Sequence, residues 1–335
     1  MIILCEKCKT KYRIDEDKIP QREKFRVDCK KCHHNFVVTR TQPEEECEIL
    51  PLTSELEFHE PSYVPKPGCQ VISICNQKGG VAKTSSCINL AASLALLKKR
   101  VLVIDFDIQA SLSLLLGFDN ERSFFDVMHS GEGSISKFIL NTRKDFWLLP
   151  SNNKMSLLSK KHLNEEKFEY LLKDKLKEVE SHFDYIIIDT PPSGDFYTLN
   201  ALMASDIAII PTQCEFLSMN GVAHVEKLIE YIRKRSEHKI SDRILVTMFD
   251  RKNTAAKAVL GNIQKKYRGK LLKTIIEYDQ SMQVSQIIRE PVIFYDAKSV
   301  SGKQYLNLAK EIIQSTVVVE DRKETVNERV SLQKA

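Results

Sequence analysis

Residues 76–85 read Asn-Gln-Lys-Gly-Gly-Val-Ala-Lys-Thr-Ser, directly after the apolar run VISIC and before the helical pattern SCINLAASLALLKK. A glycine turn between a strand and a helix N-terminus aims backbone N–H groups inward, and the helix dipole adds positive potential, so the combination suits phosphate. The backbone of Gly79, Gly80, Val81 and Ala82 would form the cradle. Lys83 would reach the β- and γ-phosphates, and the Thr84 hydroxyl would ligate Mg²⁺. The general pattern G-x-x-x-x-G-K-[ST] fails at its two outer glycines, where this chain has Gln77 and Ala82. The variant K-G-G-x-x-K-[ST] fits and adds a lysine, Lys78, at the front.

Three acids fit the same chemistry. Asp105 and Asp107 stand where the run VLVID gives way to a loop, and Asp189 ends the run DYIIID. Ligands of open α/β sheets bind at such carboxyl ends of strands. A lone aspartate there is commonly a helix cap. Three beside a phosphate loop point to Mg²⁺ and to the attacking water.

A second group of residues has metal chemistry. Cys5-x-x-Cys8 and Cys29-x-x-Cys32 are two knuckles that can aim four thiolates at one ion, and such a set favours Zn²⁺. Two redox-active thiol pairs are the competing use. His33 and His34 are alternative ligands, better suited to solvent. A head this small needs a staple, so zinc would supply most of its stability. Cys47, Cys69, Cys75, Cys87 and Cys214 have no ligand spacing.

The elements that must position these groups alternate in kind. VISIC (71–75), VLVID (101–105), FWLLP (146–150), DYIIID (184–189), DIAIIP (206–211), RILVTMF (243–249) and LLKTII (271–276) are β-branched, nearly continuous apolar runs separated by helix-length segments. That pattern belongs to a parallel sheet covered on both faces, an α/β doubly wound class. KYRI and KFRVDC in the head read as short strands. Between head and body, 41–68 carries five prolines and seven glutamates and reads as a linker. The expected organisation is a zinc-binding β head over 1–40, an acidic linker over 41–68, a nucleotide domain over 69–316 and a polar tail over 317–335.

With 42% hydrophobic and 28% charged residues, the chain is globular in composition, which excludes collagenous and wholly disordered classes. No run approaches the roughly 18–20 apolar residues of a membrane span. An odd number of cysteines, nine, with no signal pattern points to the cytoplasm. The net charge of +5 is a cancellation. Residues 1–40 carry eleven basic against six acidic side chains, 41–68 one against seven, and 227–310 eighteen against eight. The last excess suits a polyanion.

On these motifs the chain resembles the ParA-type partition ATPases of the deviant-Walker group that also contains MinD. The likeness covers roughly 70–316. NQKGGVAKTSSCINLAASLA is similar to the family's phosphate loop and first helix, and VLVIDFDIQAS to its second motif. FDYIIIDTPPSGDFYTLNALMASDIAIIPTQCEFLSMNG resembles its Walker B region and the stretch beyond, with ILVTMFD and VIFYDAKSVSGKQYLNLAKEI further on. The resemblance implies a P-loop fold and a slow, Mg²⁺-dependent ATPase that dimerises on ATP. Lys78 would then reach the nucleotide of a second subunit, while Lys83, Thr84 and Ser85 hold phosphates and Mg²⁺. Asp107 would orient the attacking water, with Asp105 and Asp189 supporting the metal. Pro211 to Glu215 and Met248 to Asp250 would lie near the base and the dimer interface. Where the family often has Ile-Pro after its last strand, this chain has Ile276-Glu277.

The resemblance further implies a homodimer binding DNA without sequence preference. Its contacts would come from basic residues such as Arg268, Lys273 and Lys298, with Lys265, Lys266, Lys270 and Lys303 nearby, and a ParB-like protein would stimulate it. The MinD-like alternative positions a protein assembly without DNA. A membrane-binding version would need a bulky amphipathic C-terminal helix, and VVVEDRKETVNERVSLQKA has no aromatic residue. The head resembles the small zinc ribbon at the N-terminus of various bacterial proteins, whose role here would be docking, nucleic-acid binding or sensing.

Overall fold

The computed structural model describes residues 2–5, 7–8, 11–13, 24–39, 68–119, 122–130, 134–215, 218–236 and 238–315. The tail over 317–335 and all but Gly68 of the linker lie outside the described residues. The chain divides into two compact units, with the cysteine head in the first, up to residue 50, and the rest in the second.

The head consists of two antiparallel hairpins. Strand β1 (Ile2–Leu4) pairs with β2 (Lys11–Arg13), and β3 (Lys24–Asp28) with β4 (Asn35–Thr39). The sequence pattern locates β2 and β3 and misses their partners.

The body is built on eight strands: β5 (Gln70–Ile74), β6 (Val101–Asp105), β7 (Leu140–Arg143), β8 (Phe146–Leu149), β9 (Tyr185–Asp189), β10 (Ile207–Thr212), β11 (Ser241–Phe249) and β12 (Leu271–Glu277). Their order is β12-β11-β10-β5-β9-β6-β8-β7, parallel throughout except for β7 against β8. The α/β class with a mostly parallel sheet is therefore as the apolar runs require.

Side chains alternate between the two faces. Val101, Val103, Ile187 and Ile209 enter one core beneath the helix Lys83–Leu96 and the helix over 300–315. Leu102, Ile104, Ile186 and Ile188 enter the opposite core with Phe106, Phe124 and Phe196, while Ala208 and Ile210 meet Val222, Val225 and Ile229 of the helix Ser218–Arg235. Both faces are dry, which explains why the runs are continuous rather than alternating.

Register then places the chemistry. Ile74 of β5 lies opposite Asp189 of β9, and Asp189 lies opposite Asp105 of β6. The two carboxylates thus stand side by side at the carboxyl edge, level with the loop that leaves β5.

Candidate nucleotide site and cysteine centre

The loop after β5 is held by the chain on every side before any ligand is considered. The Asn76 amide donates to the Pro211 carbonyl at 2.8 Å, and its oxygen accepts the Lys78 N–H at 2.9 Å. Gly221 permits this approach, because a Cβ there would stand 2.5 Å from the Asn76 side-chain oxygen. Thr247 donates to the Val81 carbonyl at 3.1 Å, and Gln213 to the Gly80 carbonyl at 3.1 Å. Gly80 has φ +71° and Ala82, the residue before the helix, φ +63°.

A Cβ added at Gly79 or Gly80 would meet nothing within 4 Å, so the cradle opens onto space that a phosphate can enter. Beneath it, Lys83 is buried and donates to the Lys78 carbonyl at 3.1 Å. Burial holds its ammonium below the ordinary lysine range, opposed by Asp189 and Asp107.

The three acids prove to be different from one another. Asp105 is fully buried. Its Oδ2 accepts the Ser113 N–H at 2.8 Å and the Ser113 hydroxyl at 2.7 Å, and its Oδ1 accepts the Asp107 N–H at 3.2 Å. Burial pushes it up to about 6 against those hydrogen bonds. It fastens the loop that carries Asp107.

Asp189, equally buried, has one oxygen facing Thr84 and the Cys87 thiol, while Oδ2 has no hydrogen-bond partner. Burial, then Asp105, pushes it up to about 8. An orphaned carboxylate oxygen beside a threonine hydroxyl is a donor set that fits Mg²⁺. Asp107 is also buried and raised by burial. Its Oδ1 accepts the Gln109 N–H at 2.9 Å, and Ser151 donates to its carbonyl at 2.6 Å.

Lys78 lies at the front of the loop, with its ammonium on Glu215 at 2.5 Å, Ser218 at 3.1 Å and Gln213 at 3.3 Å. Met248 (φ +53°) and Ser85 border a cavity of about 300 Å³ with Gly80, Ala82, Glu277, Tyr278, Met282 and Tyr305. Pro211 borders the loop through its carbonyl, and Asp250 caps its own turn by accepting the Lys252 N–H at 2.8 Å. Glu277 is committed to the Arg251 guanidinium at 2.7 Å and to Gln304.

Arg268, Lys273 and Lys298 are exposed, on or next to elements at the β12 edge. Lys270 is tied to Glu226 at 2.5 Å and Asp242 at 2.7 Å. Sequence reasoning assigned no role to Asn76 or Thr247, although both lie in the motifs it used, and it placed Gln213 only within the Pro211–Glu215 segment near the base and the dimer interface. Ser113 and Ser151 carry no local signal.

In the head, ligand atoms of Cys5, Cys8, Cys29 and Cys32 all lie within 4.8 Å of one another. The Cys5–Cys32 sulfurs are 3.6 Å apart and those of Cys8 and Cys29 3.4 Å. Zn–S bonds of about 2.3 Å in a tetrahedron put sulfurs roughly 3.8 Å apart, so the cluster fits zinc. The second knuckle is formed by the His33 N–H donating to the Cys29 carbonyl at 2.8 Å and the Cys29 N–H to the His34 carbonyl at 2.9 Å, with His33 at φ +54°.

A family model described as an AAA domain matches residues 69–242, and a zinc-ribbon domain model matches residues 1–37. The sporulation initiation inhibitor protein Soj of Bacillus subtilis is 32% identical over 247 residues, covering 72% of this chain and 98% of Soj. The chain belongs to the ParA family, with a zinc ribbon in its head. The chromosome partitioning protein ParA of Myxococcus xanthus is 30% identical over 73% of this chain and 88% of its own length. Among solved structures, cobyrinic acid a,c-diamide synthase of Mycobacterium smegmatis, with bound ADP and magnesium, matches with TM-score 0.64 and 29% identity. That match covers 73% of this chain and 94% of the other. Among the described residues no helix is long and apolar enough to cross a membrane.

Proposed function

We propose that this ParA-family chain is an ATP-hydrolysing switch that dimerises on ATP, and that the ATP-bound dimer binds DNA without sequence preference and so positions or segregates it. The observation that carries the reading is the open Gly79–Gly80 cradle beside the unpartnered oxygen of Asp189. Lys83 and the loop N–H groups bind phosphates, while Thr84 and Asp189 hold Mg²⁺. The metal, when bound, supplies charge neutralisation for phosphoryl transfer. Asp105 keeps the Asp107 loop in place, and Asp107 orients the attacking water. Lys78 leaves Glu215, Gln213 and Ser218 to reach the nucleotide of a second copy, which couples hydrolysis to dimerisation. A ParB-like partner accelerates turnover, and the chain associates with the nucleoid in the cytoplasm.

The exposed Arg268, Lys273 and Lys298 supply phosphate contacts, which lose affinity steeply with salt. Fluorescence anisotropy with a random duplex tests this. Binding requires Mg·ATP rather than Mg·ADP, and weakens in Arg268→Glu and Lys298→Glu. An affinity indifferent to ATP, to salt and to both substitutions overturns the DNA reading and leaves the assembly-positioning alternative.

A further inference from the structure

Away from the phosphate loop, two histidines close a pair of helices against each other. His129 is the last residue of the helix Phe124–His129 and His162 the last of the helix Met155–His162. Their Nε2 atoms are 3.2 Å apart. His129 Nδ1 is 2.8 Å from the Phe125 carbonyl oxygen, and His162 Nδ1 is 2.8 Å from Glu165 Oε2.

A carbonyl and a carboxylate only accept, so each Nδ1 carries the ring hydrogen. With the hydrogen on Nδ1, each ring turns its other nitrogen, Nε2, toward that of its neighbour. Two Nε2 lone pairs at this separation repel unless a proton or a metal cation lies between them.

The distance and the surroundings both suit a metal. Two nitrogens bound to one tetrahedral zinc at about 2.0–2.1 Å stand roughly 3.3 Å apart. Holding the remote Nδ1–H with a carboxylate or a backbone carbonyl is how metal-binding histidines are oriented and made more basic. Phe125 stacks on the His129 ring at 4.3 Å and fixes its plane, and the His162 side chain is only 12% exposed. Both rings stand at helix C-termini, where the carbonyl ends favour positive charge.

We propose that His129 and His162 form a two-histidine site for a late first-row divalent cation of the zinc, cobalt and nickel class, with water completing its coordination and Glu165 orienting His162 from outside. Imidazole pairs select these ions over Mg²⁺ and Ca²⁺. A bound ion ties the two helices together close to the catalytic loop. The Met155 carbonyl, at the start of the second helix, accepts the Tyr197 hydroxyl at 2.5 Å, and Ser151, four residues earlier, holds the Asp107 carbonyl.

The test uses the full chain with its cysteine centre already loaded with one equivalent of zinc, titrated with Co²⁺. A further equivalent binds, giving weak visible d–d bands without the intense near-ultraviolet band of thiolate ligation. His129→Gln and His162→Gln, which keep side-chain size and helix propensity, each abolish that equivalent. Glu165→Gln weakens it about 10- to 100-fold. Overturning results are a wild-type chain that takes up no Co²⁺ beyond the zinc equivalent, or uptake that survives either histidine substitution in a chain whose circular dichroism is unchanged.

Discussion

In the head, four sulfurs within 4.8 Å of one another sit among strands of three and five residues. In the body, three buried carboxylates rest on an eight-stranded sheet whose two faces are sealed by separate apolar cores. The body can bury carboxyl groups at the edge of its sheet, with their proton affinity raised by that burial, because the apolar burial behind the edge is large. Among its described residues the head has no comparable core, so the atoms that would bind zinc would also carry its stability. On the function proposed above, metal would be a structural member in one region and a reagent in the other.

The largest effect that would break this contrast comes from removing the ribbon's zinc. Chelation, or Cys29→Ser, collapses the amide dispersion of residues 1–40 in a full-chain NMR spectrum while the body's melting transition stays where it was. A parallel fall in both would show that the regions share their stability. Next come two substitutions that separate binding from turnover in the body. Lys83→Ala costs about 3 kcal/mol of nucleotide affinity, roughly a hundredfold, read by equilibrium binding. Asp107→Ala still binds but hydrolyses about a hundredfold more slowly in a phosphate-release assay; unchanged turnover there would remove Asp107 from the mechanism.

Smaller again is Ser113→Ala, which keeps the backbone N–H on Asp105 but removes the hydroxyl that donates to Asp105 and accepts the Ser151 N–H, and costs about 1–3 kcal/mol by denaturant melts. A further test is a pH effect. Asp189, pushed up to about 8 chiefly by burial, keeps its proton in the folded chain, whereas the unfolded chain releases it near the ordinary carboxylate value. Apo stability therefore falls as pH rises from about 4 towards 8. Binding Mg²⁺ requires the deprotonated carboxylate, so the melting shift given by Mg·ATP is larger at pH 8 than at pH 6. Equal shifts at both would mean that Asp189 does not meet the metal.

Much of this was legible because continuous β-branched runs and two cysteine knuckles are local signals. The runs FWLLP and VLVID fall within one residue of β8 and β6. Strand β7 was not legible, because Leu140–Arg143 alternates half-buried and exposed positions at a sheet edge and contains no apolar run. The acids at the strand ends could be found from sequence, but their division of labour could not. Asp105 and Asp189 look alike along the chain. Only the fold brings Ser113 to one and leaves an oxygen of the other unpartnered. The Lys270 charge, counted with its neighbours in the basic run, is likewise neutralised by Glu226 and Asp242 from distant elements. The +10 of residues 227–310 therefore overstates what a polyanion would meet.

The alanine at position 82 has a consequence of its own. Left-handed backbone costs a residue with a Cβ roughly 1–2 kcal/mol, and Ala82 adopts φ +63°. The strain is met by Thr247, Gln213 and Asn76, which fasten the neighbouring carbonyls and N–H groups. The phosphate receptor is therefore a loaded spring rather than a flap. The bonds that hold this shape all come from the chain's own side chains, so the fold itself supports the conformation that a phosphate would meet.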